Sequence, residues 1–168
     1  MADPYNVLFL CTGNSARSIL AEGILNRIGS GRFVAYSAGS QPKGTVHPLA
    51  LDLLKAQGFP TEGLRSKSWD EFDRPQAPKM NFVFTVCDQA AAESCPVWPG
   101  QPITAHWGLP DPAAATGTPA QQRNAFRHTF IALQARLRLF TALRLNALDR
   151  LAIEREVKAI GRSAAVDA

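Results

Sequence analysis

Apolar positions along the chain fall into short continuous runs that alternate with helical patterns. Asn6-Val7-Leu8-Phe9-Leu10 is almost uninterrupted, the pattern of a strand buried on both faces. It leads into Cys11-Thr12-Gly13-Asn14-Ser15, after which Ile19, Leu20, Ile24, Leu25 and Ile28 share one helical face until Gly29-Ser30-Gly31 stops them. Phe33 to Ser37 reads as a second strand, closed by Gly39. His47 to Gln57 reads as a short helix with Leu49, Leu53 and Leu54 inward. Residues 58–79 have no period and are rich in Pro, Gly and charge. Phe82 to Val86 is a third strand ending at Cys87, and Pro102 to Trp107 a fourth. After a loop from Pro110 to Pro119, a long helix starts near Ala120 with Phe126, Phe130, Leu133, Leu137 and Phe140 on its face. Leu143, Leu145, Leu148, Leu151, Ile153, Val157 and Ile160 continue as a further amphipathic helix with a break near Asn146.

Strands alternating with helices predict an α/β fold: a single-domain, four-stranded parallel sheet with helices on both faces, plus a C-terminal helical extension. The division expected is residues 1–142 for the domain and 143–168 for a basic amphipathic extension. Ligands of such sheets bind beyond the carboxyl ends of the strands. Cys11 and Cys87 stand at two such ends, so both are expected to border one crevice.

Composition narrows this little at first. The 168 residues are 46% hydrophobic and 19% charged, enough for one packed core. The net charge of +4 points toward an anionic partner, but it is unevenly placed. Residues 1–120 hold nine Lys/Arg and ten Asp/Glu, whereas residues 121–168 hold nine and four. The excess therefore belongs to the tail and reads as the solvated face of a packed helix, carrying Arg144, Arg150, Arg155, Lys158 and Arg162. No apolar stretch approaches membrane-spanning length, and the N-terminal run is too short for a signal peptide. The expectation is a cytoplasmic protein with no nucleic-acid and no membrane partner. Three cysteines, Cys11, Cys87 and Cys95, argue for thiol chemistry in a reducing compartment over a disulfide framework.

The segment Cys11-Thr12-Gly13-Asn14-Ser15-Ala16-Arg17-Ser18 carries the chemistry. Five residues between Cys and Arg let the loop curl until its backbone N–H groups point inward as an anion nest. The helix that follows adds its positive end, and Arg17 offers a fork for two oxygens. Cys11 at the base of that field is expected to ionise easily, with Ser18 donating to the sulfur. Gly13 is expected to supply a positive φ. Asp111, in Gly108-Leu109-Pro110-Asp111-Pro112, is placed to protonate a departing oxygen. A zinc site from the three cysteines and His106 is the weaker competitor, because no Cys-x-x-Cys pair is present.

Val7 to Glu22, VLFLCTGNSARSILAE, resembles the low-molecular-weight protein tyrosine phosphatase superfamily, and within it the thioredoxin-coupled type of arsenate reductase. The resemblance covers about residues 5–140. It implies Cys11 as nucleophile, residues 12–18 (Thr12, Gly13, Asn14, Ser15, Ala16, Arg17, Ser18) as the oxyanion cradle, and Asp111 as general acid. Phosphatases of this kind usually place aromatic residues after the Asp-Pro pair and a second cysteine in the loop. Here Ala113-Ala114-Ala115 follows, and the loop has one cysteine. Val86 to Pro96 resembles the reductases' redox segment, implying that a disulfide passes from Cys11–Cys87 to Cys87–Cys95. Arsenate is then the substrate, with phosphate or sulfate as competing oxyanions. The external thiol reductant is thioredoxin, or glutaredoxin with glutathione. No tightly bound cofactor is implied, but Asn14, Glu22, Ser37 and Asp70 match a potassium site of some of these reductases.

Seven residues separate Cys87 from Cys95, one more than in those relatives, so a two-cysteine route resolved by glutathione or glutaredoxin also stays open. Residues 88–95 have helix propensity, and a helix there would hold the two backbones roughly 12 Å apart. A disulfide tolerates about 4.4–6.8 Å between Cα atoms, so such a helix would have to unwind on oxidation. The competing functions are a low-molecular-weight phosphatase and, in a different class, an oxyanion-binding or redox-sensing module.

Overall fold

The computed structural model describes residues 3–88, 90 and 98–162. The helix expected over 88–95, its unwinding, and Cys95 itself fall largely on residues 89 and 91–97, outside the described residues.

Four strands form one parallel sheet: β1 (Tyr5–Leu10), β2 (Phe33–Ala38), β3 (Phe82–Thr85) and β4 (Ile103–His106), in the order β2-β1-β3-β4. Leu10 pairs with Ala38 on one side and Thr85 on the other, and Thr85 pairs with His106. The four strands therefore end level, and the loops after them meet at one rim. β1 is central, with neighbours on both sides, which makes its carboxyl end the switch point of the sheet.

The apolar run of β1 divides between the two faces, as alternation requires. Val7 and Phe9 face a large core shared by four helices: α1 (Arg17–Ile28), α2 (Pro48–Ala56), α3 (Pro119–Thr141) and α4 (Arg150–Gly161). Leu8 and Leu10 face a smaller cluster with Ala38, Val83, Phe72, Met80 and Trp98. Phe72 comes from a 3₁₀ turn, Trp69–Phe72, inside the stretch that shows no period in sequence.

Local chemistry sets the helix ends. His47 caps α2, its Nδ1 accepting the Leu49 N–H at 3.1 Å. Thr118 and Gln121 form a reciprocal capping box at the start of α3. Arg32 Nη1 donates to the Thr141 carbonyl at 2.6 Å at its end. The C-terminal segment differs from expectation in one respect. Residues 142–149 are not helical, and α4 starts only after Asp149, whose carboxylate accepts the Ala152 N–H. The helix lies along β4, burying Val157 and Ile160 in the main core, and its Val157 carbonyl accepts the indole N–H of fully buried Trp107 at 2.9 Å. Among the described residues, no helix is long and apolar enough to cross a membrane.

Candidate active site

Three carbonyls of the loop after Cys11 are held from the segment that follows β2. Those of Thr12, Gly13 and Ser15 accept the N–H groups of Gln41, Lys43 and His47, at 3.0, 2.9 and 2.9 Å. Fixing the carbonyls this way rotates the intervening N–H groups toward the concave side, where an anion would sit. Space for that outer segment exists only because residue 39 is glycine. A Cβ there would lie 2.7 Å from the Cys11 carbonyl oxygen and closer still to that of Thr12. The positive φ expected at Gly13 is found instead at Asn14, at 45°. Asparagine tolerates the left-handed region better than most residues, and its side chain is fully bonded there. Nδ2 donates to Ser18 Oγ (2.8 Å) and Ser37 Oγ (3.0 Å), while Oδ1 accepts the Lys67 N–H (2.9 Å). Ser18, expected at the sulfur, is thus tied to Asn14.

A cavity of about 460 Å³ opens over the loop, lined by residues 11–17, Gln41, Lys43 and Asp111. Arg17 opens α1, so its guanidinium stands beside the helix N-terminus. Its Nη1 donates to the Leu109 carbonyl at 2.8 Å, its Nη2 lies 3.8 Å from Asp111 Oδ2, and its buried Nε has no hydrogen-bond partner. Asp111 is exposed, with Oδ1 accepting the Ala113 N–H that starts a short 3₁₀ turn. Arg136, a buried residue of α3 that the sequence did not single out, braces the same loop through the Gly108 carbonyl at 3.3 Å.

Cys11 and Cys87 are both buried and neither is in a disulfide. Cys11 lines the cavity, Cys87 is not among its lining residues, and the two thiols lie close enough to shift each other's ionisation. The easy ionisation expected at Cys11 belongs to Cys87. Cys87 is lowered to about 5, first by the hydrogen bond from Cys11, then by the N–H groups of Ala90 and Thr12 and the Thr12 hydroxyl; burial opposes them. Ala90 N lies 3.3 Å and Thr12 Oγ1 3.8 Å from the sulfur. Cys11 moves up because it donates to Cys87 and is buried, although Arg17 and the Gly13 N–H pull it down. Each sulfur shifts the other, Cys87 downward and Cys11 upward.

A family model for low molecular weight phosphotyrosine protein phosphatases matches residues 6–153. The chain belongs to this family. Within it, the chain is 34% identical over 134 residues to an arsenate reductase of Halalkalibacterium halodurans, covering 80% of this chain and 93% of the relative. An arsenate reductase of Bacillus subtilis is 33% identical over the same length and coverage. A solved arsenate reductase in its phosphate-binding state is 27% identical with a TM-score of 0.67, covering 82% of this chain and 97% of that one. A thioredoxin-dependent arsenate reductase of Corynebacterium glutamicum shares the fold at 23% identity and a TM-score of 0.61; this chain spans 65% of its length.

Of the four residues matched to a potassium site in some of these reductases, three are bonded to one another. Asn14, Ser37 and Glu22 meet: Ser37 Oγ accepts from Asn14 and donates to Glu22 Oε1 at 2.5 Å. Asp70 is exposed at the head of its 3₁₀ turn. Beside the buried Glu22 stands Lys67, whose Nζ lies 3.8 Å from Glu22 Oε1 and donates to the Arg65 carbonyl at 2.8 Å. The Asn14 side-chain oxygen Oδ1 accepts the Lys67 N–H. Among the described residues, no group of three His, Cys, Asp or Glu side chains converges for a metal either. Burial pushes Glu22 up and Lys67 down, and each pulls the other back.

Proposed function

We propose that this chain reduces arsenate to arsenite, with Cys11 as nucleophile, Cys87 as the thiol that expels arsenite and Cys95 as the thiol that receives the disulfide. The observation that carries the reading is a second buried free thiol beside the anion loop: the Cys87 sulfur lies 3.8 Å from the hydroxyl of Thr12, the residue that follows Cys11. Phosphate ester hydrolysis has no task for a second sulfur there. Reduction of As(V) to As(III) needs two electrons, which a dithiol supplies on becoming a disulfide. The 34% identity to an arsenate reductase supports the same side. So does the cavity lining, which among the described residues holds no aromatic ring to grip a phenol.

Arsenate enters with its oxygens on the loop N–H groups and on Arg17. Cys11 displaces one arsenic-bound hydroxyl, and Asp111 sees that it leaves as water, so the thiol proton and the hydroxyl depart together and an S–As bond remains. Cys87 stays a thiolate through this step, which is what the next step requires. It attacks the Cys11 sulfur, the S–As electron pair returns to arsenic, and arsenite leaves a Cys11–Cys87 disulfide behind. A low pKa on the second sulfur is therefore useful: at neutral pH it is the attacking form. Cys95 then attacks Cys87 and frees Cys11. An external dithiol protein of the thioredoxin type reduces the Cys87–Cys95 disulfide, as the name of the Corynebacterium relative says of that protein. Such a cycle places the chain in the reducing cytoplasm. Residues 1–142 form the reductase unit in this reading, and 143–168 the extension.

The test is arsenate turnover with thioredoxin or with glutaredoxin and glutathione as donor, in wild type, Cys87→Ser and Cys95→Ser. Thioredoxin is expected to support wild type, and both variants to lose that turnover by about 100-fold or more. Full activity of Cys95→Ser with thioredoxin would remove Cys95 from the cycle. Hydrolysis of an aryl phosphate that persists in the double serine variant, without arsenate reduction in wild type, would favour a phosphatase.

A further inference from the structure

Lys67 touches the anion loop with its backbone and reaches Glu22 of α1 with its side chain. Its backbone N–H holds Asn14 Oδ1 at 2.9 Å, and its ammonium stands 3.8 Å from Glu22 Oε1. Glu22 accepts the Ser37 hydroxyl at 2.5 Å, Ser37 accepts the Asn14 amide at 3.0 Å, and the ring closes on Asn14. Every member is buried: Asn14 and Ser37 fully, Lys67 at 8% and Glu22 at 9% exposure. Asn14 is the residue whose left-handed backbone bends the loop.

The polarity of this ring depends on charge. An ionised Glu22 can only accept, so Ser37 must give it its proton and turn a lone pair to Asn14. Asn14 then presents its amide to Ser37 and Ser18 and its carbonyl to Lys67. A buried carboxylate stays ionised only beside a cation. Without one it takes up a proton and becomes a donor, and the reason for the Ser37 and Asn14 orientations is gone.

We propose that Lys67 is a positioning residue for the oxyanion loop: its ammonium is the built-in cation that orders Glu22, Ser37 and Asn14, in place of a monovalent ion from solution. The inference rests on reading residues 11–17 as an oxyanion loop, but not on which oxyanion is reduced. Its test therefore reads binding of inorganic phosphate rather than turnover.

Phosphate affinity of the full chain is measured by calorimetry in choline, sodium and potassium chloride at equal ionic strength. Wild type is expected to bind equally in all three. Lys67→Ala is expected to lose about tenfold in choline chloride and to regain most of it when potassium or methylammonium is added. Rescue by a small cation is an outcome that a merely space-filling lysine would not produce. Glu22→Gln combined with Lys67→Met removes both charges and is expected to bind phosphate better than Lys67→Ala in choline chloride.

Wild-type affinity that rises several-fold in potassium over choline would overturn the proposal. So would a Lys67→Ala variant with wild-type affinity, or one whose loss no small cation relieves. If Lys67→Ala does not fold, wild type and the neutral double variant decide: both indifferent to the salt cation supports the proposal, and a potassium-driven gain in wild type overturns it.

Discussion

The Cys87 sulfur has the Ala90 N–H at 3.3 Å and the Thr12 hydroxyl at 3.8 Å, and with Cys11 beside it its pKa is lowered to about 5. In a chain with Cys95→Ser, thiolate absorbance at 240 nm should rise by one thiolate per molecule around pH 5. Replacing Cys11 as well should shift that step upward, because the largest stabilising bond is gone. The sign for stability follows. A group depressed from its ordinary 9.0 to about 5 stabilises the fold fully above pH 9, and that contribution fades as pH falls through 5. Melting curves of wild type and Cys87→Ser should therefore converge toward pH 5. That Cys11, Arg17 and Asp111 line one cavity was legible in sequence, because spacing and a turn beside a strand end place them. The pKa reversal was not, because it depends on a contact between residues 76 positions apart. Lys67 was missed for a related reason: its partner Glu22 lies on another element, and no periodic pattern marks the segment between Gly58 and Lys79.

Strands and helices were readable wherever one period dominated. β1 to β4 appear where continuous apolar runs placed them, and α1 to α3 where the helical faces did. The C-terminal helix starts later than its leucines implied, because Leu145 belongs to the connection and is buried from there. The outer segment 39–47 has no period, yet it supplies the N–H groups that hold three carbonyls of the anion loop. Its dependence on Gly39 is sharp. Gly39→Ala must push a methyl against two loop carbonyls, backbone that cannot yield without moving Cys11 or Thr12. The expected result is a melting temperature lower by several degrees. Phosphate affinity should fall at least tenfold, read by calorimetry on protein that circular dichroism shows to be folded. Gly44→Ala, where a Cβ meets open space and only the positive φ of 84° is costly, should leave phosphate affinity near wild type.

Across the whole molecule the +4 charge says little about the site. The basic side chains of the C-terminal segment, Arg144, Arg150, Arg155, Lys158 and Arg162, are exposed. The exception is Arg136, drawn inward to brace the loop that carries Asp111. The helix bearing most of this charge is nonetheless part of the core. Ending the chain at Asp149 would uncover Trp107 and remove the acceptor of its indole N–H. Loss of a helix with two fully or nearly buried aliphatic residues should lower the melting temperature well beyond a typical point mutation and shift tryptophan emission to the red. The account as a whole turns on two sulfurs sharing one task. It is tested most directly by a single turnover of Cys95→Ser with arsenate and no external reductant, followed by mass spectrometry and arsenite determination. One arsenite released per chain, with a Cys11–Cys87 disulfide two mass units lighter than the dithiol, is the predicted result. Arsenate bound with neither arsenite nor disulfide formed would contradict it.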